Sequence, residues 1–195
     1  MKLSTSIEPA SRKAAFAMIE NSFKSGEHLQ PGELEALYKY FMPALPKAVK
    51  RDWQWVSRVA ASKDVRYYLK TLYSNGSRLM ATDSHRLHII PSNMPAGYYH
   101  PKTLDPMDEA AKYPDVDRII NGRSDFEPLH HYPMDETKTH EKMLLVKVGP
   151  VWVQSAYMLA ALNGRDDWQI SVQENSAIIG QNDDGWQFAV MPMRT

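Results

Sequence analysis

VRYYLKTLYSNGSRLMATDSHRLHIIP, residues 65–91, is the stretch whose reading decides the fold. It contains three strand-like runs: VRYYLKTLYS, SRLMAT and HRLHIIP. Each is rich in β-branched, aromatic or aliphatic residues. SNGS (74–77) separates the first two and places Asn-Gly where a tight hairpin needs residues that tolerate positive φ. Immediately upstream, LPKAVKRDWQWVSRVAAS (45–62) reads as a helix, with Val49, Trp53, Val56 and Ala60 at i, i+4, i+7 and i+11 as its apolar stripe. Lys47, Arg51, Gln54 and Arg58 repeat that spacing as a second, basic stripe, with Lys50 and Lys63 nearby. Trp53 and Trp55 cannot both face one core from this helix. The unit is therefore one helix followed by three strands.

The same order returns at the end of the chain. EKMLLVKV (141–148) reads as a strand and GPVWVQSAYMLAALNG (149–164) as a helix, with Pro150 at its start and Gly164 behind it. DWQISVQE, SAIIGQN and GWQFAVMP follow as three strands, with NDDG (182–185) as a hairpin turn. Two copies of one supersecondary unit are thus expected, inferred from pattern rather than identity. Neither unit alone can bury a sheet face and its edges, but two side by side can. The expected fold class is α+β: a mostly antiparallel sheet with helices on one face.

Between the units, residues 91–141 hold seven of the thirteen prolines and no long periodic run, so an irregular insertion is expected there. At the N-terminus, SIEPASRKAAFAMIENSFK and QPGELEALYKYF read as two helices. The expected organisation is a helical extension over 1–40 and one domain over 41–195, with units at 41–90 and 142–195 flanking the 91–141 insertion.

Composition narrows the function classes. The 195 residues carry 23 basic and 23 acidic side chains, so bulk charge neither demands nor excludes nucleic acid. With no cysteine there is no disulfide framework and no thiolate chemistry. No apolar run approaches the roughly 20 residues of a bilayer span. MKLSTSIEPASRK lacks the apolar core of a signal peptide, so a cytoplasmic protein is expected. His100, His130, His131 and His140 have no ligand spacing and read as solvated side chains, so no metal is expected. Asp83 and His85 sit at i and i+2, but no nucleophile accompanies them. No phosphate loop or nucleotide motif is present, so no cofactor is expected, and the chain reads as a non-enzyme.

Three segments, KDVRYYL (63–69), MATDSHRLHI (80–89) and FAVMPMRT (188–195), resemble landmarks of the bacterial replicative sliding clamp, the β subunit of DNA polymerase III. LPKAVKR, KYPDVDRII (112–120) and VWVQSAYMLAALNG resemble further clamp segments in the same order. The resemblance implies a DNA-clamp-like fold and a shallow apolar pocket that grips short peptides of the polymerase, the clamp loader and repair proteins. Carried over by position, the pocket walls are Leu69, Thr82, Ser84, His85, Arg86 and Leu87 on one side. Val190, Met191, Pro192, Met193 and Arg194 form the other. Flexible methionines suit varied apolar side chains, while His85 and Arg86 supply polar anchors. Ser84 stands where the family has glycine, and Thr195 where it has leucine.

Family chains carry three domains of two units and dimerise into a ring, whereas this chain has two units. Two readings follow: a minimal clamp that assembles into a homo-oligomeric ring around duplex DNA, or a monomeric mimic that binds clamp-interacting peptides without encircling DNA. An enzyme on the same fold is a distant third. The resemblance gives Lys47, Arg51, Arg58 and Lys63 a DNA-facing role, weighed against an ordinary solvated helix face. The segment expected to be the second helix, 151–163, is uncharged, which implies weak DNA contact.

Overall fold

A computed structural model describes residues 47–61, 64–108 and 112–193, with the side chains of residues 47–51 excepted. The helices expected before residue 45 lie outside the described residues. Helix α1 is Lys47–Ser57. It delivers Trp55, Val56 and then Val59, beyond its end, to the core at 0% exposure, while Trp53 and Ala60 are only partly buried. The stripe is therefore centred on Trp55 rather than Trp53. The reason is polar as well as apolar: the Trp55 indole N–H donates to the carbonyls of Ala160 and Ala161 at 3.0 and 3.1 Å.

VRYYLK is not a strand. Tyr67–Lys70 is a 3-10 turn, and β1 is only Leu72–Ser74. Arg66 is held by Asp64 through its amide and its guanidinium, at 2.8 to 2.9 Å. Val65 and Tyr67 then point outward, 90% and 70% exposed, while Leu69 is buried and Tyr68 packs partly buried against the core. The β1 strand joins β2 (Arg78–Thr82) through the expected Asn75-Gly76 turn, with Gly76 at φ 95. Next comes β3 (Arg86–Pro91).

The described residues of the 91–141 segment hold regular elements, which corrects the expectation of an irregular insertion. It contains β4 (Gly97–Tyr99), β5 (Pro106–Met107), the short helix α2 (Asp117–Ile120), β6 (Glu127–Pro128) and β7 (Thr137–His140). These strands are two to four residues long, too short to leave a periodic signature. Then β8 (Met143–Val148) turns through Gly149-Pro150 into β9 (Val151–Gln154). The expected helix at 151 is thus a strand for its first four residues, because β-branched and aromatic side chains alternating in and out favour a pleated surface. Helix α3 is Ser155–Leu162, closed by Asn163 in the left-handed region and Gly164 at φ 71. The chain ends with β10 (Gln169–Ser171), β11 (Ile178–Gln181) and β12 (Gln187–Val190).

All strand pairs are antiparallel. A nine-stranded sheet runs β5-β4-β1-β2-β3-β12-β11-β10-β6, and β7-β8-β9 form a second sheet. The two repeated units meet where β3 pairs β12, with Arg86 opposite Val190 and Leu87 opposite Ala189. Side chains alternate across the large sheet. One face (Leu79, Ala81, Ile90, Phe188, Val190) packs with α1, α3 and the small sheet. The other (Met80, Leu87, Ile89, Ala189) packs with Tyr113, Val116 and Ile120. The two long helices share one face, as the pattern required; α2 on the opposite face and the separate small sheet were not legible. Residues Arg51–Thr195 form one compact unit.

His88 lies fully buried on the helix face, its ring stacked on Trp55 at 4.0 Å. Nδ1 donates to the Trp55 carbonyl at 3.0 Å, and Nε2 has no partner among the described residues. Desolvation pushes its pKa down to about 3, so the ring is neutral.

Candidate peptide-binding groove

The β2–β3 turn builds the first wall. Asp83 Oδ1 accepts from the amides of His85 and Arg86, both at 3.0 Å, and Oδ2 accepts from Arg86 Nε at 2.9 Å. Thr82 Oγ1 donates to the Arg86 carbonyl at 2.8 Å and accepts from the Ser84 amide at 3.1 Å. This network holds Ser84 at φ 77, where a non-glycine residue is disfavoured. Asp83 is therefore a turn residue, with both oxygens engaged by these donors rather than by the His85 ring.

The second wall leaves β12. The Met191 amide donates to the His85 carbonyl at 2.8 Å, and the Met193 amide to the Trp152 carbonyl at 2.8 Å. The tail thus crosses from the β2–β3 turn to the free side of β9. Met191 is 43% exposed, and Pro192 and Met193 are partly exposed. Together they line a cleft of about 560 Å³ with Pro150, Val151, Trp152, Glu174 and Asn175.

The residues carried over from the resemblance separate by role. Leu69, Leu87 and Val190 are at most 2% exposed and offer no contact surface. Thr82 pairs Leu87 on the face away from Arg86 and Val190. Ser84 and His85 are exposed, and Arg86 is half-buried. Arg194 lies outside the described residues. Of the accessible members, His85 and Met191 are joined by that backbone bond, while the cleft is lined by Met191, Pro192 and Met193 and by no residue of the first wall. One neighbour was missed: Tyr157 of α3 lies under the Arg86 guanidinium, 4.5 Å from ring centroid to Cζ, with the His85 ring 6.3 Å away. Its only sequence signal was an aromatic residue beside the buried Met158–Ala161–Leu162 stripe.

Of the cations assigned to DNA, Lys47 and Arg51 are on α1 and Lys63 lies outside the described residues. Arg58 sits just past α1, exposed, with Nη1 donating to Asn163 Oδ1 at 2.9 Å. Its carbonyl accepts from Arg86 Nη2 at 3.3 Å. Among the described residues, no group of three or more His, Cys, Asp or Glu is arranged to hold a metal. Nor is any described helix long and apolar enough to cross a membrane.

No protein-family model and no curated protein sequence matches the chain. Solved structures do. A DNA polymerase III subunit beta sliding clamp from Bartonella birtlesii bound to griselimycin superposes with TM-score 0.54 at 14% identity, over 80% of this chain and 69% of that one. The chain has the sliding-clamp fold. The subunit beta of Borrelia burgdorferi matches with TM-score 0.54 at 12% identity, over 76% of this chain and 61% of that one. The Bacillus subtilis clamp matches with TM-score 0.53 at 14% identity, over 79% and 67%. The chain therefore spans about two-thirds of the length of the sliding clamps it matches.

Proposed function

We propose that this clamp-fold protein is a non-catalytic DNA-replication accessory factor that binds clamp-interacting peptides of polymerase, clamp-loader or repair proteins. The domain that does so is taken as residues 41–195, with 1–40 as an extension. The observation that carries the reading is the junction of both walls in one chain, through the β3–β12 pairing and the Met191–His85 bond. Met191, Pro192 and Met193 offer an adaptable apolar strip. His85, Arg86 and Tyr157 form its polar end, and the cleft beside Trp152 extends it. Leu69, Thr82, Leu87 and Val190 hold the walls from behind, Ser84 shapes the turn, and Arg194 continues the tail. Duplex DNA contact through Lys47, Arg51, Arg58 and Lys63 is weak, non-specific and salt-sensitive in this reading, since α3 carries no charge.

Griselimycin, the ligand of the Bartonella birtlesii clamp, is the probe. Labelled griselimycin is titrated with the full chain and with the Met191→Ala, Met193→Ala double variant, and anisotropy is read. The double variant is expected to bind more weakly by about 1–3 kcal/mol, roughly 5- to 150-fold. Equal affinity of the two proteins, or no binding to the wild type, removes the groove.

A further inference from the structure

We propose that the chain acts as a single copy whose large sheet is closed at both edges, so that it takes clamp-binding peptides away from a DNA-encircling clamp instead of building a ring. This rests on the peptide-groove reading above. The repeated units supply β1-β2-β3 and β12-β11-β10. Without other strands, β1 and β10 would be open edges, and open edges invite pairing with a second chain. Both are already paired, and both partners come from the 91–141 segment. Strand β4 pairs β1 and carries β5 outside it, while β6 pairs β10.

The outermost strands are poor templates. Each of β5 and β6 is two residues long, is exposed and contains a proline, Pro106 or Pro128. Proline has no N–H to offer an incoming strand. Both closures are fastened by side chains. On the β1 side, Ser74 Oγ donates to the Met94 carbonyl and Tyr99 Oη to the Pro95 carbonyl, each at 2.8 Å. On the β10 side, Asp125 accepts from Ser171 Oγ at 2.6 Å and from Gln173 Nε2 at 3.0 Å. The Leu129 amide extends the β6 contact to the Trp168 carbonyl at 2.9 Å. In the small sheet, the tail bonds the free side of β9 through Met193, and β7 presents Thr-Lys-Thr-His, a polar edge with a lysine that resists pairing.

The helix face points the same way. A ring wall around DNA needs cations toward the phosphates. None of the eight residues of α3 is charged, and its outward side shows Ala156 and Leu159, the latter 66% exposed. A peptide held by a single copy is therefore tethered to DNA at most through the weak contacts proposed for the α1 cations.

The test uses the full chain. Light scattering behind size exclusion, from micromolar to millimolar protein, with and without nicked circular duplex, is expected to give 22.3 kDa throughout. A mass that climbs with concentration, or protein retained on the circle and released by linearising it, overturns the proposal. The Pro106→Thr, Pro128→Thr double variant restores an edge N–H on each side and is expected to self-associate at the highest concentrations; if it stays at 22.3 kDa, the sealed-edge argument fails. In a third arm, the wild-type chain is added to labelled griselimycin held by the Bartonella birtlesii clamp, and displacement of the label is expected. A chain that binds the label alone but assembles into a ring refutes this proposal and leaves the groove standing. A 22.3 kDa chain that never binds the label refutes the groove instead.

Discussion

Acid should weaken this protein through His88 in a way that one substitution isolates. The ring is fully buried, stacked on Trp55, and held at a pKa of about 3 by desolvation, against an ordinary value of 6.5. The folded-state pKa is depressed, so between 6.5 and about 3 the unfolded chain binds the proton and the folded chain does not. Stability from this group is therefore complete above 6.5 and is lost as pH falls through that window. Each pH unit below 6.5 removes about 1.4 kcal/mol, so a change from pH 7 to pH 5 removes about 2 kcal/mol. Urea unfolding at pH 7, 6 and 5 measures it. His88→Asn keeps a side-chain donor for the Trp55 carbonyl and cannot titrate. The variant starts less stable, but its loss between pH 7 and pH 5 should be about 2 kcal/mol smaller than that of the wild type. Carboxylates contribute equally to both proteins and cancel in the comparison. Parallel stability curves would refute the buried, neutral histidine.

Two further outcomes follow from the large sheet. A Cβ on Gly180 would fall 2.2 Å from Phe188 Cε1 on the paired strand, so Gly180→Ala is expected to cost about 1–3 kcal/mol in denaturant midpoint and to perturb near-ultraviolet circular dichroism. Tyr113 buries its hydroxyl between Tyr73 and Tyr98 without a partner among the described residues, so Tyr113→Phe is expected to leave stability unchanged or raise it by up to about 1 kcal/mol; a thermal melt showing clear loss would reveal a hydrogen bond there.

The sequence made the two hairpins legible because their turns carry local chemistry. Asn75-Gly76 and the Asn182–Gly185 turn need no tertiary context to close, and the runs beside them alternate. What escaped was set at long range. Trp55 displaces Trp53 from the core because its indole reaches carbonyls some 105 residues away. Tyr157 meets Arg86 only because α3 packs beside the β2–β3 turn, which no local pattern encodes. The short strands of 91–141 are held by partners rather than by propensity, so they carry no period to read. The motif residues of the clamp resemblance lie together at one end of the β3–β12 seam. They did not distinguish buried Leu69, Leu87 and Val190 from exposed His85 and Met191, because a motif preserves identity and not orientation.

The β3–β12 seam also has a kinetic meaning. Each three-stranded unit contains its own short-range hairpin, β2–β3 in one and β11–β12 in the other. The seam instead joins Arg86 to Val190, across a chain interval that includes every strand from β4 to β11. Closing such an interval carries a large entropic cost before any contact repays it, which slows folding. The two hairpins can form in microseconds, while the proposed groove, being made at the seam, requires this long-range closure. If the proposed groove binds griselimycin, its capture during refolding is expected to lag the signal from the hairpins.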